Sequence, residues 1–260
     1  MKIYVNIDGN NKESVKTKEK LIHISKDCGI EIVEDVESCE IIFSIGGDGT
    51  FLKTARLSDE KPILGINTGT LGYLTEVNPD QLEESINDIL NKNYRIENRM
   101  MLEGEIIKPN GEAIKIPESL NEIAISKNTF GVVRFDAIIN DKLINSYTAD
   151  GILICTPTGS TAYNLSCGGP IVDPTAEIIT LTPIAPHTII NRSVIFSDDS
   201  IVKIKITELR DNTTSYVLYD GRPIEVFSQD IVEIKKSDKI TKIIKLEDRS
   251  FIDTIRENIN

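Results

Sequence analysis

Only two histidines, His23 and His187, occur in 260 residues, and they lie far apart. A histidine-rich metal site is thereby excluded and a Ser-His-Asp hydrolase disfavoured. The four cysteines, Cys28, Cys39, Cys155 and Cys167, never adopt a Cys-x-x-Cys spacing. The start, Met1-Lys2-Ile3-Tyr4-Val5-Asn6-Ile7-Asp8, turns polar too quickly for a signal peptide, so the cysteines read as free thiols of a reducing cytoplasm. No apolar run reaches the length of a membrane span. Basic residues are outnumbered, 29 against 41 acidic, for a net charge of −12. That argues against a nucleic-acid binder with a broad basic surface, while leaving room for an anionic nucleotide in a local pocket. No Gly-Lys-Ser/Thr and no Gly-x-Gly-x-x-Gly is found, so the chain has neither a Walker A loop nor a dinucleotide fingerprint.

What the chain does have is a glycine loop of a different kind. Ile41-Ile42-Phe43-Ser44-Ile45 is a continuous apolar run, read as a buried strand. It breaks into Gly46-Gly47-Asp48-Gly49 and restarts at Thr50-Phe51-Leu52-Lys53 as the first turn of a helix. Glycines between strand and helix let backbone N–H groups approach a ligand, and a helix N-terminus favours anions. Asp48 inside such a cradle would repel phosphate, which calls for a positive role: taking a proton from a hydroxyl, or helping to hold a divalent cation. The same string also suits a plain turn with Asp as N-cap.

Around this loop the pattern alternates. Ile3–Ile7 reads as a strand, 12–28 as a charged helix with Val15, Leu21 and Ile22 apolar, and 31–33 and 61–67 as further strands. A second glycine-spaced loop, Thr68-Gly69-Thr70-Leu71-Gly72-Tyr73-Leu74, follows. Asn78-Pro79-Asp80-Gln81 opens a helix with a capping box, and Leu82, Ile86, Ile89 and Leu90 form its stripe. The spacing predicts an α/β domain with a parallel sheet over 1–95. From 96 to 246 it predicts an all-β, sandwich-like domain of short strands. Three hairpins are expected there, turning at Asn140-Asp141, at Ser197–Ser200 and at Asp220-Gly221. The segment 247–260 is expected to return to the first domain as a short helix starting at Ser250. A second dense stretch, Thr156 to Pro170, crowds hydroxyls and glycines beside Tyr163, a composition able to hydrogen-bond a polar ligand and pack a flat ring. Asp150 lies at a turn just before the strand 152–154, and Asn121-Glu122 precedes another strand.

Together these stretches resemble the NAD kinase family. Gly46-Gly47-Asp48-Gly49 with Thr50 matches a loop shared with diacylglycerol, sphingosine and phosphofructo-kinases. The 65–76 loop, Asn121-Glu122 and 156–170 resemble segments more specific to NAD kinases, in the same order. The resemblance implies an α/β domain, a β-sandwich domain and a nucleotide in the crevice between them. It implies transfer of the ATP γ-phosphate (or a phosphate of polyphosphate) to the adenosine ribose 2′-hydroxyl of NAD. Asp48 would be the base, and Gly46, Gly47, Gly49 and Thr50 the phosphate loop. Lys53, Asn121, Glu122, Asp150, Thr161, Ala162, Tyr163, Asn164, Ser166 and Ala185 would join Asp48 and Gly49 in binding NAD. Mg²⁺ or another divalent cation would arrive with ATP, with no dedicated metal site in the protein. A cytoplasmic homo-oligomer, dimer or tetramer, is implied, with neither nucleic acid nor membrane as partner. A lipid kinase sharing the glycine loop, or a non-catalytic dinucleotide-binding module, are the alternatives.

Overall fold

The computed structural model describes residues 1–69, 72–128, 131–188, 191–209, 214–246 and 250–259. Thr70 and Leu71 of the second glycine loop, and 247–249 of the C-terminal segment, lie outside them. The chain forms two compact units, Met1–Arg99 with Ile240–Asn260, and Met100–Lys239.

The first unit begins β1 (Lys2–Ile7), α1 (Lys12–Asp27), β2 (Glu31–Val33), β3 (Ile41–Gly46), α2 (Asp48–Leu57), β4 (Ile63–Asn67) and α3 (Leu82–Leu90). Its strands run in the order β2-β1-β3-β4 and pair in parallel. Every residue of β3 and β4 is buried, as expected of central parallel strands covered on both faces. That is why both read as unbroken apolar runs ending in glycine-bearing loops. Asn11 caps α1 by accepting from the N–H groups of Glu13 and Ser14 at 2.8 and 3.4 Å. The buried stripe of α1 is Ser14, Thr17, Leu21 and Ser25, whereas Val15 is exposed. Two of these hydroxyls find partners: Ser14 Oγ meets Thr68 Oγ1 at 2.7 Å and Thr17 Oγ1 donates to Glu13 O at 2.8 Å, whereas Ser25 Oγ is buried with no partner among the described residues. The capping box at Asn78 forms as expected, with Gln81 Oε1 accepting from Asn78 N at 3.1 Å. It leads through a short 3₁₀ turn into α3, which buries Leu82, Ile86 and Ile89 but leaves Leu90 exposed.

The chain passes into the second unit within β5 (Arg95–Ile107). There follow β6 (Ala113–Ser119), β7 (Glu122–Lys127), β8 (Val133–Ile139), β9 (Lys142–Ala149), β10 (Gly151–Cys155), the four-residue α4 (Tyr163–Ser166), β11 (Ile178–Ile184) and β12 (Val194–Ser197). Next come β13 (Val202–Leu209), β14 (Ser215–Tyr219), β15 (Arg222–Val226) and β16 (Ile231–Lys245), and the chain re-enters the first unit along β16. One sheet of this unit orders β12-β11-β10-β7-β14-β15; the other carries β16-β13-β8-β9, with β5 paired to β16 and β6 to β5. Ile123, Ile125, Ile152, Ile154, Phe135, Ala137, Val202, Ile204 and Val232 pack into one core drawn from both, so the unit is a β-sandwich.

The Asn140-Asp141 and Asp220-Gly221 hairpins form, with positive φ at all four residues. The one expected at Ser197–Ser200 does not. β12 pairs with β11 while β13 pairs with β8 and β16, so this turn carries the chain from one sheet to the other. The last helix, α5 (Phe251–Ile259), falls in the first unit, and Ser250 and Asp253 exchange backbone-to-side-chain hydrogen bonds of 3.1 and 3.2 Å at its start.

Candidate active site

In the first unit the site is built where β3 becomes α2. Gly47 is the N-cap and supplies no side-chain bond; the Thr50 N–H donates to Gly47 O at 2.9 Å, and the N–H groups ahead of it are placed to meet a ligand. A Cβ on Gly47 or Gly49 would meet no described residue within 4 Å, so both face open space and a ligand can approach the backbone. Gly46 differs. A Cβ there would lie 2.3 Å from Thr50 Oγ1, so glycine is what lets the buried Thr50 sit against the loop. A chain of hydroxyls anchors α2 behind it: Asn6 Nδ2 donates to Thr54 Oγ1 at 2.8 Å, and Thr54 Oγ1 donates to Ser44 Oγ at 2.8 Å.

Asp48 is the first residue of α2 and is partly exposed. Both of its oxygens are held by the second glycine loop: Oδ2 accepts from Tyr73 N at 2.9 Å and Oδ1 from Leu74 N at 3.1 Å. A carboxylate oxygen has two acceptor sites, so each keeps capacity for a further proton donor. Gly72 completes the clamp, since a Cβ at this position would lie 2.1 Å from Asp48 Oδ1. The loop is itself pinned, with Asn67 Oδ1 accepting from Gly69 N at 3.1 Å and Asn11 Nδ2 donating to Thr68 O at 3.3 Å. Lys53 is exposed on α2, and five residues of helix turn it about 140° from Asp48.

In the second unit, Asn121 and Glu122 at the head of β7 and the segment after β10 come together. Thr156 Oγ1 donates to Leu120 O at 2.6 Å and accepts from Gly159 N at 3.0 Å, while Thr156 N donates to Asn121 O at 2.9 Å. A Cβ on Gly159 would lie 2.1 Å from Asn121 O, so the tight turn needs glycine against that carbonyl. Thr161 and Ala162 are half-buried, and Tyr163 and Ser166 are exposed. Asn164 is fully buried and braces the segment, donating to Ser160 O and Pro170 O at 3.3 and 3.1 Å and accepting from Thr182 Oγ1 at 2.7 Å.

Asp150 and Ala185 stand at the other end of β10 from Thr156. Asp150 N donates to Ile184 O at 3.0 Å, and its carboxylate pairs with Lys127 Nζ at 2.6 Å. Ala185 adopts φ +44°, a left-handed conformation that is costly for alanine. Partial burial raises the Tyr163 hydroxyl pKa, with Cys167 and then Asp150 and Glu122 adding to the effect.

Glu122 is the most perturbed acid of the site. Burial, and then the neighbouring Asp220 carboxyl, push its pKa up to about 8. Its Oε2 is shielded from water and meets no hydrogen-bond partner among the described residues. Asp220 in turn accepts from three successive backbone N–H groups, those of Leu120 at 3.0 Å, Asn121 at 2.9 Å and Glu122 at 3.3 Å. Sequence reasoning saw Asp220 only as half of a hairpin turn and did not single out Lys127.

Comparison with known proteins places these features in a family context. Residues 3–94 match the family model described as the ATP-NAD kinase N-terminal domain, and residues 120–246 that of the ATP-NAD kinase C-terminal domain. The NAD kinase of Caldanaerobacter subterraneus subsp. tengcongensis is 41% identical over 224 residues, covering 85% of this chain and 78% of its own. That of Carboxydothermus hydrogenoformans is 37% identical over 244 residues, covering 91% and 86%. Among solved structures, yeast NADH kinase complexed with NADH superposes at TM-score 0.90 with 21% identity, over 100% of this chain and 87% of that one, a likeness of fold. An NAD kinase from Archaeoglobus fulgidus in complex with ATP superposes at 0.82 with 25% identity, over 99% of both.

Proposed function

The chain belongs to the NAD kinase family, and we propose that Asp48 receives the proton of the adenosine ribose 2′-hydroxyl of NAD as that hydroxyl takes the γ-phosphoryl group of ATP. The observation that carries this reading is the clamp on Asp48. Two backbone N–H groups fix both carboxylate oxygens at the mouth of an open glycine loop, and both oxygens retain lone pairs for a substrate hydroxyl. A secondary hydroxyl is a poor nucleophile, and phosphoryl transfer depends on positioning and charge neutralisation more than on covalent chemistry. A carboxylate that cannot wander supplies the positioning.

The N–H groups at Gly47, Asp48 and Gly49 are suited to the donor phosphates, with Thr50 supporting the loop from behind. Among the described residues no group of three or more His, Cys, Asp or Glu is placed to hold a metal ion. Mg²⁺ or another divalent cation would enter on the ATP phosphates and would neutralise charge there. Asn121, Glu122, Thr161, Ala162, Tyr163 and Ser166 are assigned to NAD, with Asn164 shaping their segment from inside. Asp150 and Ala185 complete the NAD set at the far end of β10, and Lys53 is kept as a more remote positive charge. A lipid kinase or a non-catalytic module is not favoured, because the second family model covers 120–246 and the relatives are NAD kinases over most of their length.

The direct test supplies MgATP with NAD, with its 2′-deoxyadenosine analogue, and with diacylglycerol. Phosphate is expected on NAD only. The deoxy analogue has no nucleophile and should also bind more weakly, since a site built for a hydroxyl penalises its absence. Label on the deoxy compound or on lipid would refute the assignment. No helix among the described residues is long and apolar enough to cross a membrane. We place the enzyme in the cytoplasm as a homo-oligomer, supported by Leu143 and Ile144 exposed on edge strand β9 and Ile195 on edge strand β12. Light scattering should return the mass of two or four chains, and a single-chain mass would contradict it.

A further inference from the structure

We propose that Asp220 sets both the shape of the Leu120–Glu122 turn and the protonation of Glu122, so that Glu122 meets NAD as a neutral hydrogen-bond donor rather than as a carboxylate. The inference rests on the assignment of Glu122 to NAD and adds its chemical state and the residue that controls it.

A carboxylate offers only acceptors, and Asp220 uses its two oxygens to collect three consecutive N–H groups, from residues 98 to 100 positions away in sequence. The same residue's N–H donates to Glu122 O at 3.1 Å, so the β14–β15 turn and the head of β7 are locked together. Glu122 is 9% exposed, and its Oε2 is buried with no hydrogen-bond partner among the described residues. Among the described residues the titratable groups interacting with it are Asp220 from that turn, Cys155 from β10, Tyr163 from α4 and Cys167 just after α4. Burying a second negative charge beside Asp220 is costly, and holding the proton avoids it. The consequence for binding is favourable: NAD brings a negatively charged pyrophosphate, which a neutral acid does not repel, and an O–H can reach a ring nitrogen or a ribose oxygen. Burial raises the pKa values of Cys155, Cys167 and Tyr163 in the same surroundings.

Two measurements test this. The first is kcat/KM for NAD from about pH 6 to about pH 9.5 at saturating MgATP. The wild-type value should fall roughly tenfold between about pH 7 and about pH 9 as the proton leaves Glu122. Glu122→Gln should start severalfold lower, because an amide N–H is a weaker donor, and stay flat through that range. Asp220→Asn, which keeps an oxygen for the turn but removes the charge, should move the inflection down by about one pH unit. A flat wild-type profile, or an inflection unmoved by Asp220→Asn, would overturn the proposal.

The second measurement uses no nucleotide. A carboxyl whose pKa is raised on folding contributes its stability below the unfolded value and loses it as pH rises toward the folded one. Here that window runs from the ordinary 4.5 to about 8. The Tm of Glu122→Gln relative to wild type should therefore climb across that window and level off above it. A constant Tm difference would refute the protonated Glu122. A climbing difference with an NAD profile indifferent to Glu122 would retain the protonation and remove Glu122 from the NAD site.

Discussion

Asp48→Asn should lower NADP formation by about 10²–10⁴-fold, the usual contribution of a general base, while the protein stays folded and still binds NAD. Asn has the size and shape of Asp but cannot take a proton. It can still accept one of the two amide bonds now made by Tyr73 and Leu74, so the loop keeps half its hold. The other position becomes an NH₂ facing an N–H, a mismatch costing about 1–3 kcal/mol at a buried site and less at this partly exposed one. The melting temperature should therefore drop modestly while turnover nearly vanishes. Initial rates of NADP formation and a thermal melt give both quantities. A variant with more than about a tenth of wild-type turnover, far outside the general-base range, would show that Asp48 is not the base.

The features legible in the sequence were those whose physics is local. β3 and β4 are buried on both faces, which requires unbroken apolar runs, and the glycines that end them are visible as such. The turns at Asn140-Asp141 and Asp220-Gly221 need left-handed residues, which these residue pairs provide. The capping box at Asn78–Gln81 is likewise a matter of three residues' spacing.

Where the deciding partner is distant, the reading went astray. Ser197–Ser200 looks like a hairpin turn, but whether two strands pair depends on which sheet receives each, and β13 finds β8 and β16 instead of β12. In α1 the buried face holds Ser14 and Thr17 because a hydroxyl across the unit and a carbonyl along the helix satisfy them, so apolar periodicity pointed to the exposed Val15. Asp220 serves its turn and the Asn121-Glu122 turn at once, and nothing within ten residues of it announces the second duty.

Gly72→Ala should lower kcat by about 10²-fold with little change in KM for either substrate, although residue 72 has no side chain to contribute to the reaction. A Cβ added there would sit 2.1 Å from Asp48 Oδ1, 2.6 Å from Cγ and 2.8 Å from Oδ2. Something has to move, and the atoms in the way are the end of a side chain rather than backbone, so the adjustment falls on Asp48. It would swing out of the clamp formed by the N–H groups of Tyr73 and Leu74. The fold loses two hydrogen bonds at a partly exposed site, about 1–3 kcal/mol at most, and the melt should show a small shift. The chemistry loses more, because a displacement of about 1 Å in a reacting group can cost about 10² in rate. Positioning through Asp48 has a signature that a general loosening of the loop lacks. Once Asp48 is already Asn, displacing it removes nothing further, so Gly72→Ala in that background should lower kcat by less than about threefold. Two full effects that multiply would mean that Gly72 acts independently of Asp48. A single variant retaining more than about a third of wild-type kcat would mean that the clamp does not set the position from which Asp48 works.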